Sequence, residues 1–348
     1  MLPAIFGLSG THLTAPERAF FRECDPTGYI LFGRNVASRA QLRMLTDDLR
    51  ALHGREKLLI TIDQEGGRVA RLKPPQWPAY PSGAAFDALY ELAPISAIEA
   101  ARVSAEALGL DLAEVGITCT HAPVLDVRQH DAHDVIGDRA YGFEPLRVAA
   151  MGRAVLEGLA RAGVVGTIKH MPGNGRTSTD THLSLPTVMA TEAELETDLA
   201  PFRALAKAPT NAPMGMTGHL LFPAWDAVNP STQSPFIIAE IIRKRIGFDG
   251  LLLTDDLDME ALSGTVPERA ERATAAGCDI ALNCWAKMDD MLGIAARLPA
   301  MSAKTTARLD RALAVTEVTV PDMARQAELI AKRDALLALV SAQVGVGA

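Results

Sequence analysis

Short apolar runs and longer segments of helical periodicity alternate eight times along this sequence of 348 residues. Such alternation marks βα units wound on a parallel sheet, because each return to a parallel strand needs a helix-length connection. The runs predict strands near Ala4–Leu8, Gly28–Phe32, Leu58–Ile62, Ile117–Thr120, Val164–Lys169, Pro213–Thr217, Gly250–Thr254 and Asp279–Leu282. Helices are predicted near Ala15–Cys24, Arg39–Leu52, Ile95–Val115, Pro145–Ala162, Glu192–Ala206, Ser234–Ile246, Pro267–Ala276 and Met288–Arg297. Eight units close most economically as an α/β protein of the (β/α)8 TIM-barrel type, with a doubly wound open sheet as the alternative. Beyond Ser302, residues Leu329, Leu336, Leu337 and Val340 recur at helical spacing. They predict extra C-terminal helices, over about 302–342, that cover the outside or the bottom of a barrel spanning about 3–300. No Pro/Gly/Ser linker divides the chain, so residues 1–348 read as a single domain.

Composition narrows the partners. Hydrophobic residues are 48% of the chain and charged residues 22%, which describes a globular protein with a large core. A net charge of -8 weighs against nucleic acid and against anionic membrane surfaces, both of which attract basic patches. Cys24, Cys119, Cys278 and Cys284 form no CxxC pair and lie in or beside apolar runs, as buried reduced thiols do. The N-terminal MLPAIFGLSG lacks a basic region followed by a long apolar one, and no run approaches the roughly 18 apolar residues of a membrane span. The cytoplasm is the predicted location. The sequence leaves the oligomeric state open.

Polar, glycine-containing clusters fall immediately after predicted strands, where barrel enzymes carry their chemistry. The third strand runs into Asp63-Gln64-Glu65-Gly66-Gly67-Arg68-Val69-Ala70-Arg71. Asp63 has the acceptor oxygens to hold paired hydroxyls and Arg71 the planar donor fork to reach the same ligand; the structural alternative is a Gly-Gly turn with charges paired among themselves. After the fourth strand come His121, Asp126, His130, His133 and Arg139. Their spacing fits no compact metal-ligand motif, so no metal is expected, and Arg139 is the candidate for a substrate contact. The fifth strand delivers Lys169 and His170, followed by a long glycine-rich loop with a D-x-H pair, Asp180 and His182. Such a pair can act as a proton-transfer dyad in which the acid fixes the imidazole tautomer; a loop histidine bonded to a nearby acid is the bland alternative. The sixth strand ends at Thr217-Gly218-His219 and the seventh at Thr254-Asp255-Asp256-Leu257-Asp258. A carboxylate at the end of an apolar strand needs partners or a task, so Asp255 is the candidate nucleophile, whereas Asp258 suits a helix N-cap and Asp256 either role.

Together the stretches IDQEGGRVARL, APVLDV, VIGDRAYG, KHMPGNGRTSTDTHLSLP, MTGHLLFP, GFDGLLLTDDLDM and AGCDIAL resemble, in order, the NagZ-type β-N-acetylhexosaminidases of glycoside hydrolase family 3. The resemblance runs from about Gly28 to about Leu282. It implies a retaining mechanism without cofactor or metal, in which Asp255 attacks the anomeric carbon and His182, oriented by Asp180, serves as acid and then base. A histidine–aspartate pair in place of the usual second carboxyl is unusual for a retaining glycosidase, but an imidazole titrating near neutrality can both give and take the proton. By the same resemblance Asp63, Arg71, Arg139, Lys169 and His170 hold the hydroxyls and acetamido group of a terminal sugar. The implied substrate is a small saccharide or muropeptide, with N-acetylglucosamine removed from a 1,6-anhydro-N-acetylmuramic acid neighbour in peptidoglycan recycling. Two positions depart from the pattern: Asn174 replaces a histidine, and Gly218 an alanine, common among relatives. The rival readings are a phosphorylase that uses phosphate in place of water, a Schiff-base aldolase on Lys169, and a noncatalytic sugar-binding barrel.

Overall fold

A computed structural model describes residues 1–130, 134–177, 184–208, 210–316 and 321–346. Eight parallel strands, β1 (Leu2–Gly7), β2 (Pro26–Leu31), β3 (Leu59–Ile62), β4 (Cys119–Thr120), β5 (Val165–Met171), β6 (Met214–Thr217), β7 (Leu251–Leu253) and β8 (Ala281–Asn283), run in the spatial order 7-6-5-4-3-2-1-8. The two ends of that order, β7 and β8, meet as well, which closes the sheet on itself. β1 pairs with β8 through Ala4 opposite Ala281 and Ile5 opposite Leu282, and the ring shuts through a parallel bridge between Leu253 and Ile280. The amide of Thr254 donates to the Ile280 carbonyl at 3.0 Å across that seam. The open-sheet alternative is thereby excluded and the (β/α)8 TIM barrel holds.

Side chains pointing inward fill the barrel as a packed core. Ile5, Ile30, Leu59, Cys119, Val165, Met214, Leu251 and Ile280 form one cluster, and Leu309, Ala312 and Leu313 of helix α9 (Ala303–Leu313) join it from below. That helix plugs the N-terminal end of the barrel. Arg308 of α9 also reaches Asp279, the residue two before β8, at 3.0 Å, and Arg243 meets the same acid at 2.7 Å. The outer layer packs Phe6, Phe21 and Tyr29, each fully buried, with Phe21 and Tyr29 edge to face at 4.9 Å. Each such ring contributes about 1.5–3 kcal/mol by leaving water.

The surrounding helices begin and end where local chemistry allows. α1 (Ala15–Cys24) starts with a Thr14/Glu17 capping box and α6 (Glu192–Ala206) with a Thr191/Glu194 box, each satisfying amides that the first turn leaves unpaired. α2 (Arg39–His53) stops at Gly54, whose φ of 61° is the left-handed cap that costs glycine nothing. The segment predicted as a helix over Ser234–Ile246 forms instead as a π-helical turn sequence at Ile237–Ile246.

One helix escaped prediction: α3 (Gly83–Leu92), directly before α4 (Pro94–Glu114). It follows the proline-rich PPQWPAYPSG, which reads as loop, and Pro94 breaks it from its successor after only ten residues. The C-terminal segment supplies both positions foreseen for it. α9 takes the bottom, and α10 (Met323–Val346) lies outside on α3 and α4, where Gln326 donates to Asp111 at 3.0 Å and Arg325 meets Glu106 at 3.1 Å. Among the described residues no helix is long and apolar enough to cross a membrane.

Candidate active site

The loop leaving β3 is stitched by one side chain. Gln64 accepts from the amides of Arg71 at 2.7 Å and Leu72 at 3.0 Å and donates to the Leu72 carbonyl at 2.9 Å, so Arg71 is folded back over the strand end. The turn demands glycine at position 66: its φ is 108°, and a Cβ there would stand 2.2 Å from the Pro81 carbonyl oxygen. In the loop after β5, a Cβ on Gly175 would meet the Val127 carbonyl at 1.8 Å, so that loop can lie against the β4 loop only with glycine there.

These loops bring a charge network to the C-terminal mouth of the barrel. Asp63 pairs with Arg71 at 3.0 Å, with Lys169 at 3.5 Å and with the His121 ring at 3.3 Å. Lys169 reaches Glu65 at 2.6 Å, and Arg139 clasps the same carboxylate with two nitrogens at 2.8 and 2.9 Å. Burial opposes ionisation of Asp63, but Lys169, His121 and Arg71 outweigh it and hold the carboxyl well below its ordinary range. Burial likewise opposes Glu65, and Arg139 with Lys169 pulls it down to about 2. His170 is fixed by Asp126, whose Oδ2 lies 2.7 Å from Nδ1 and whose Oδ1 accepts the amides of His170 and Asn174 at 3.2 and 2.7 Å. The other ring nitrogen, Nε2, faces Arg139 at 3.4 Å.

The β7 end is built differently. Asp255 is half-buried, and its Oδ1 accepts the Asp256 amide at 2.8 Å; among the described residues no side chain donates to it. Burial again works against the charge, and His170, His219, the Asp256 amide and Lys169 together keep Asp255 below the usual carboxylate value. His219, fully buried, spans from Thr232 Oγ1 at 2.8 Å to the Asp256 carbonyl at 2.9 Å, fixing the loop that carries Asp255. Burial and the neighbouring Asp258 push the Asp256 carboxyl well above its ordinary range, opposite in direction to Asp255 beside it.

Asp63, Arg71, Arg139, Lys169, His170 and Asp255 thus share the mouth. Asp180, His182 and the loop histidine His133 lie outside the described residues. Asp258 is no helix cap: α7 (Val266–Ala276) starts later, capped by Thr265, and Asp258 Oδ2 instead accepts from Asn283, Cys284 and Trp285 at the end of β8. Sequence reasoning passed over Glu65, Asp126, His121 and His219. All four stood in the stretches after strand ends, but nothing in spacing shows that Glu65 takes two cations or that Asp126 orients His170. At the departure site Asn174, the side-chain oxygen is buried without a hydrogen-bond partner among the described residues.

The chain matches the glycosyl hydrolase family 3 N terminal domain over residues 15–316. It is 38% identical over 287 residues to a beta-hexosaminidase of Alkalilimnicola ehrlichii, covering 81% of this chain and 80% of that one. With a beta-hexosaminidase of Chromobacterium violaceum it shares 37% identity over 317 residues, 89% and 86% of the two chains. Its fold superposes with a TM-score of 0.86 on NagZ from Neisseria gonorrhoeae, solved in complex with N-trifluoroacetyl-D-glucosamine, at 29% identity over 97% of this chain and 98% of that one.

Proposed function

This chain belongs to glycosyl hydrolase family 3, and on that footing we propose that it removes terminal β-linked N-acetylglucosamine by a two-step retaining mechanism, from muropeptides that end in 1,6-anhydro-N-acetylmuramic acid. It is a glycoside hydrolase with β-N-acetylhexosaminidase activity, as its beta-hexosaminidase relatives indicate. The finer statement, with a cytoplasmic place in peptidoglycan recycling, is our reading.

The observation that carries it is the contrast at the mouth between an Asp255 held below the usual carboxylate range, with no side-chain partner among the described residues, and a ring of paired charges beside it. Asp255 Oδ2 attacks the anomeric carbon as the glycosidic oxygen leaves with a proton from His182. Water then gives its proton back to His182 and displaces the carboxylate, so enzyme and charge are restored. Asp63 and Arg71, with Arg139, Lys169 and His170, bind the hydroxyl and acetamido groups of the sugar. Low dielectric around these charges strengthens every contact they make as positive charge develops on the ring.

Two rivals lose ground on geometry. Lys169 Nζ is engaged by Glu65 and Asp63, an arrangement that serves charge binding better than attack on a carbonyl carbon. A noncatalytic binder has no use for a carboxylate that, among the described residues, is left without a side-chain partner. The test is aryl-glycoside hydrolysis by the purified protein at neutral pH without added metal, comparing β-N-acetylglucosaminide with β-glucoside, with and without phosphate. Preferential release of N-acetylglucosamine from the first is expected; sugar 1-phosphate as product would establish the phosphorylase instead.

A further inference from the structure

Trp285 stands two residues past the end of β8, on the same face as the candidate site, and is 64% exposed. A large indole left in water forgoes its burial energy, so its position needs a reason. It is held there by design of the backbone: the Trp285 amide donates to Asp258 at 3.3 Å, next to the Asn283 and Cys284 donors at 2.8 and 3.1 Å, and Ala286 follows with φ 57°. That left-handed conformation is strained for a residue with a Cβ. The same Asp258 ties back by its amide to Asp256 Oδ1 at 3.1 Å, and the Asp256 amide bonds Asp255, so a short hydrogen-bonded path links the Trp285 backbone to the loop of the proposed nucleophile.

A second path leads to the sugar-binding side. Arg71, paired with Asp63, lies 5.2 Å from the centroid of the Phe32 ring, and Arg34 lies 4.7 Å from it. Arg34 bonds the carbonyls of Leu8 and Cys284, the residue before Trp285. Lys287 places its ammonium 5.6 Å from the Trp285 ring centroid, is exposed, and makes no ion pair among the described residues. Cations and aromatic rings therefore alternate along the rim, Arg71, Phe32, Arg34, Trp285, Lys287, on a protein whose net charge is -8.

We propose that this rim is an aglycone subsite, in which the Trp285 ring stacks on the sugar beyond the scissile bond and Lys287 holds an acidic substituent of that sugar. The inference rests on the glycosidase reading. An indole face suits the axial C–H surface of a pyranose, and the Lys287 ammonium over the same ring system selects a sugar that carries a carboxylate over a neutral one.

The test uses the full chain and three β-N-acetylglucosaminides that differ only in what leaves: N-acetylmuramic acid, N-acetylglucosamine or methanol. In Trp285→Ala the ratio of kcat/KM for either disaccharide over the methyl glycoside should fall roughly fivefold to tenfold, carried by KM. In Lys287→Gln the ratio for the N-acetylmuramic acid substrate over the N-acetylglucosamine one should fall about threefold, and the difference should fade in high salt. Both ratios unchanged, in variants that still cleave the substrates, would overturn the subsite and leave the glycosidase reading standing. A wild-type protein that cleaves none of the three would remove both.

Discussion

The ends of β3, β4 and β5 and the end of β7 face the same opening, yet they treat charge in opposite ways. On the first side Glu65 is shared between Lys169 and Arg139, Asp63 between Arg71 and Lys169, and Asp126 serves His170, so each carboxylate has side-chain partners. On the second side Asp255 is ionised by charges in its surroundings, while its only bond among the described residues is to a backbone amide. A fully paired carboxylate is a poor nucleophile because its lone pairs are already engaged. In the proposed reading the paired side binds the sugar and the side of Asp255 reacts.

Removing the reactive carboxylate should break function without breaking the fold. Asp255→Asn is expected to lower kcat by about four orders of magnitude, with saccharide affinity kept, measured by aryl-glycoside turnover and by calorimetry. Removing a paired one should cost stability as well. Glu65→Gln removes the carboxylate that Arg139 clasps and leaves Lys169 only its longer pair with Asp63, and should cost about 3 kcal/mol in urea unfolding, where Asp255→Asn changes stability by about 1 kcal/mol or less. If the two variants lose equal stability, the distinction between the sides fails.

His182→Ala sharpens the reactive side. It should slow cleavage of poor leaving groups about a hundredfold and activated aryl glycosides much less, since those need little protonation. Equal losses on both would remove His182 as the acid. The smallest effect concerns pH. Glu65 is held at about 2 in the folded chain against an ordinary 4.5, so its contribution is complete above 4.5 and is lost as pH falls towards 2. Asp198, raised to about 6 chiefly by burial, despite Arg176 at 2.6 Å, works with the opposite sign and withdraws stability between 3.8 and about 6. The urea midpoint should therefore rise slightly from pH 7 to 5 and drop below 4.5, and in Glu65→Gln the acid drop should be shallower.

Much of this site is legible in sequence because a barrel makes strand ends converge. Asp63, Lys169, His170 and Asp255 lie far apart along the chain, but each stands at or just after the C-terminal end of an apolar run, which suffices to send them to one mouth. Partnership was not legible. Glu65 is two residues from Asp63 yet takes a different cation pair, and which acid receives Arg139 depends on how the β3 and β4 loops fold over one another. Asp258 misleads for the same reason: it precedes a helix in sequence, but three donors at the end of β8 claim its oxygen before any helix starts. α3 was hidden by the prolines that introduce it.

The central claim is that Asp255 forms a covalent bond to the sugar, and trapping that bond tests it most directly. The protein is incubated with a fluorinated N-acetylglucosaminyl donor whose enzyme adduct turns over slowly, then digested and mapped by mass spectrometry. The account predicts a single sugar adduct on the peptide GFDGLLLTDDLDM, localised to Asp255 and absent from Asp255→Asn. An adduct on another residue, or turnover of natural substrate with inversion and no adduct, would contradict it.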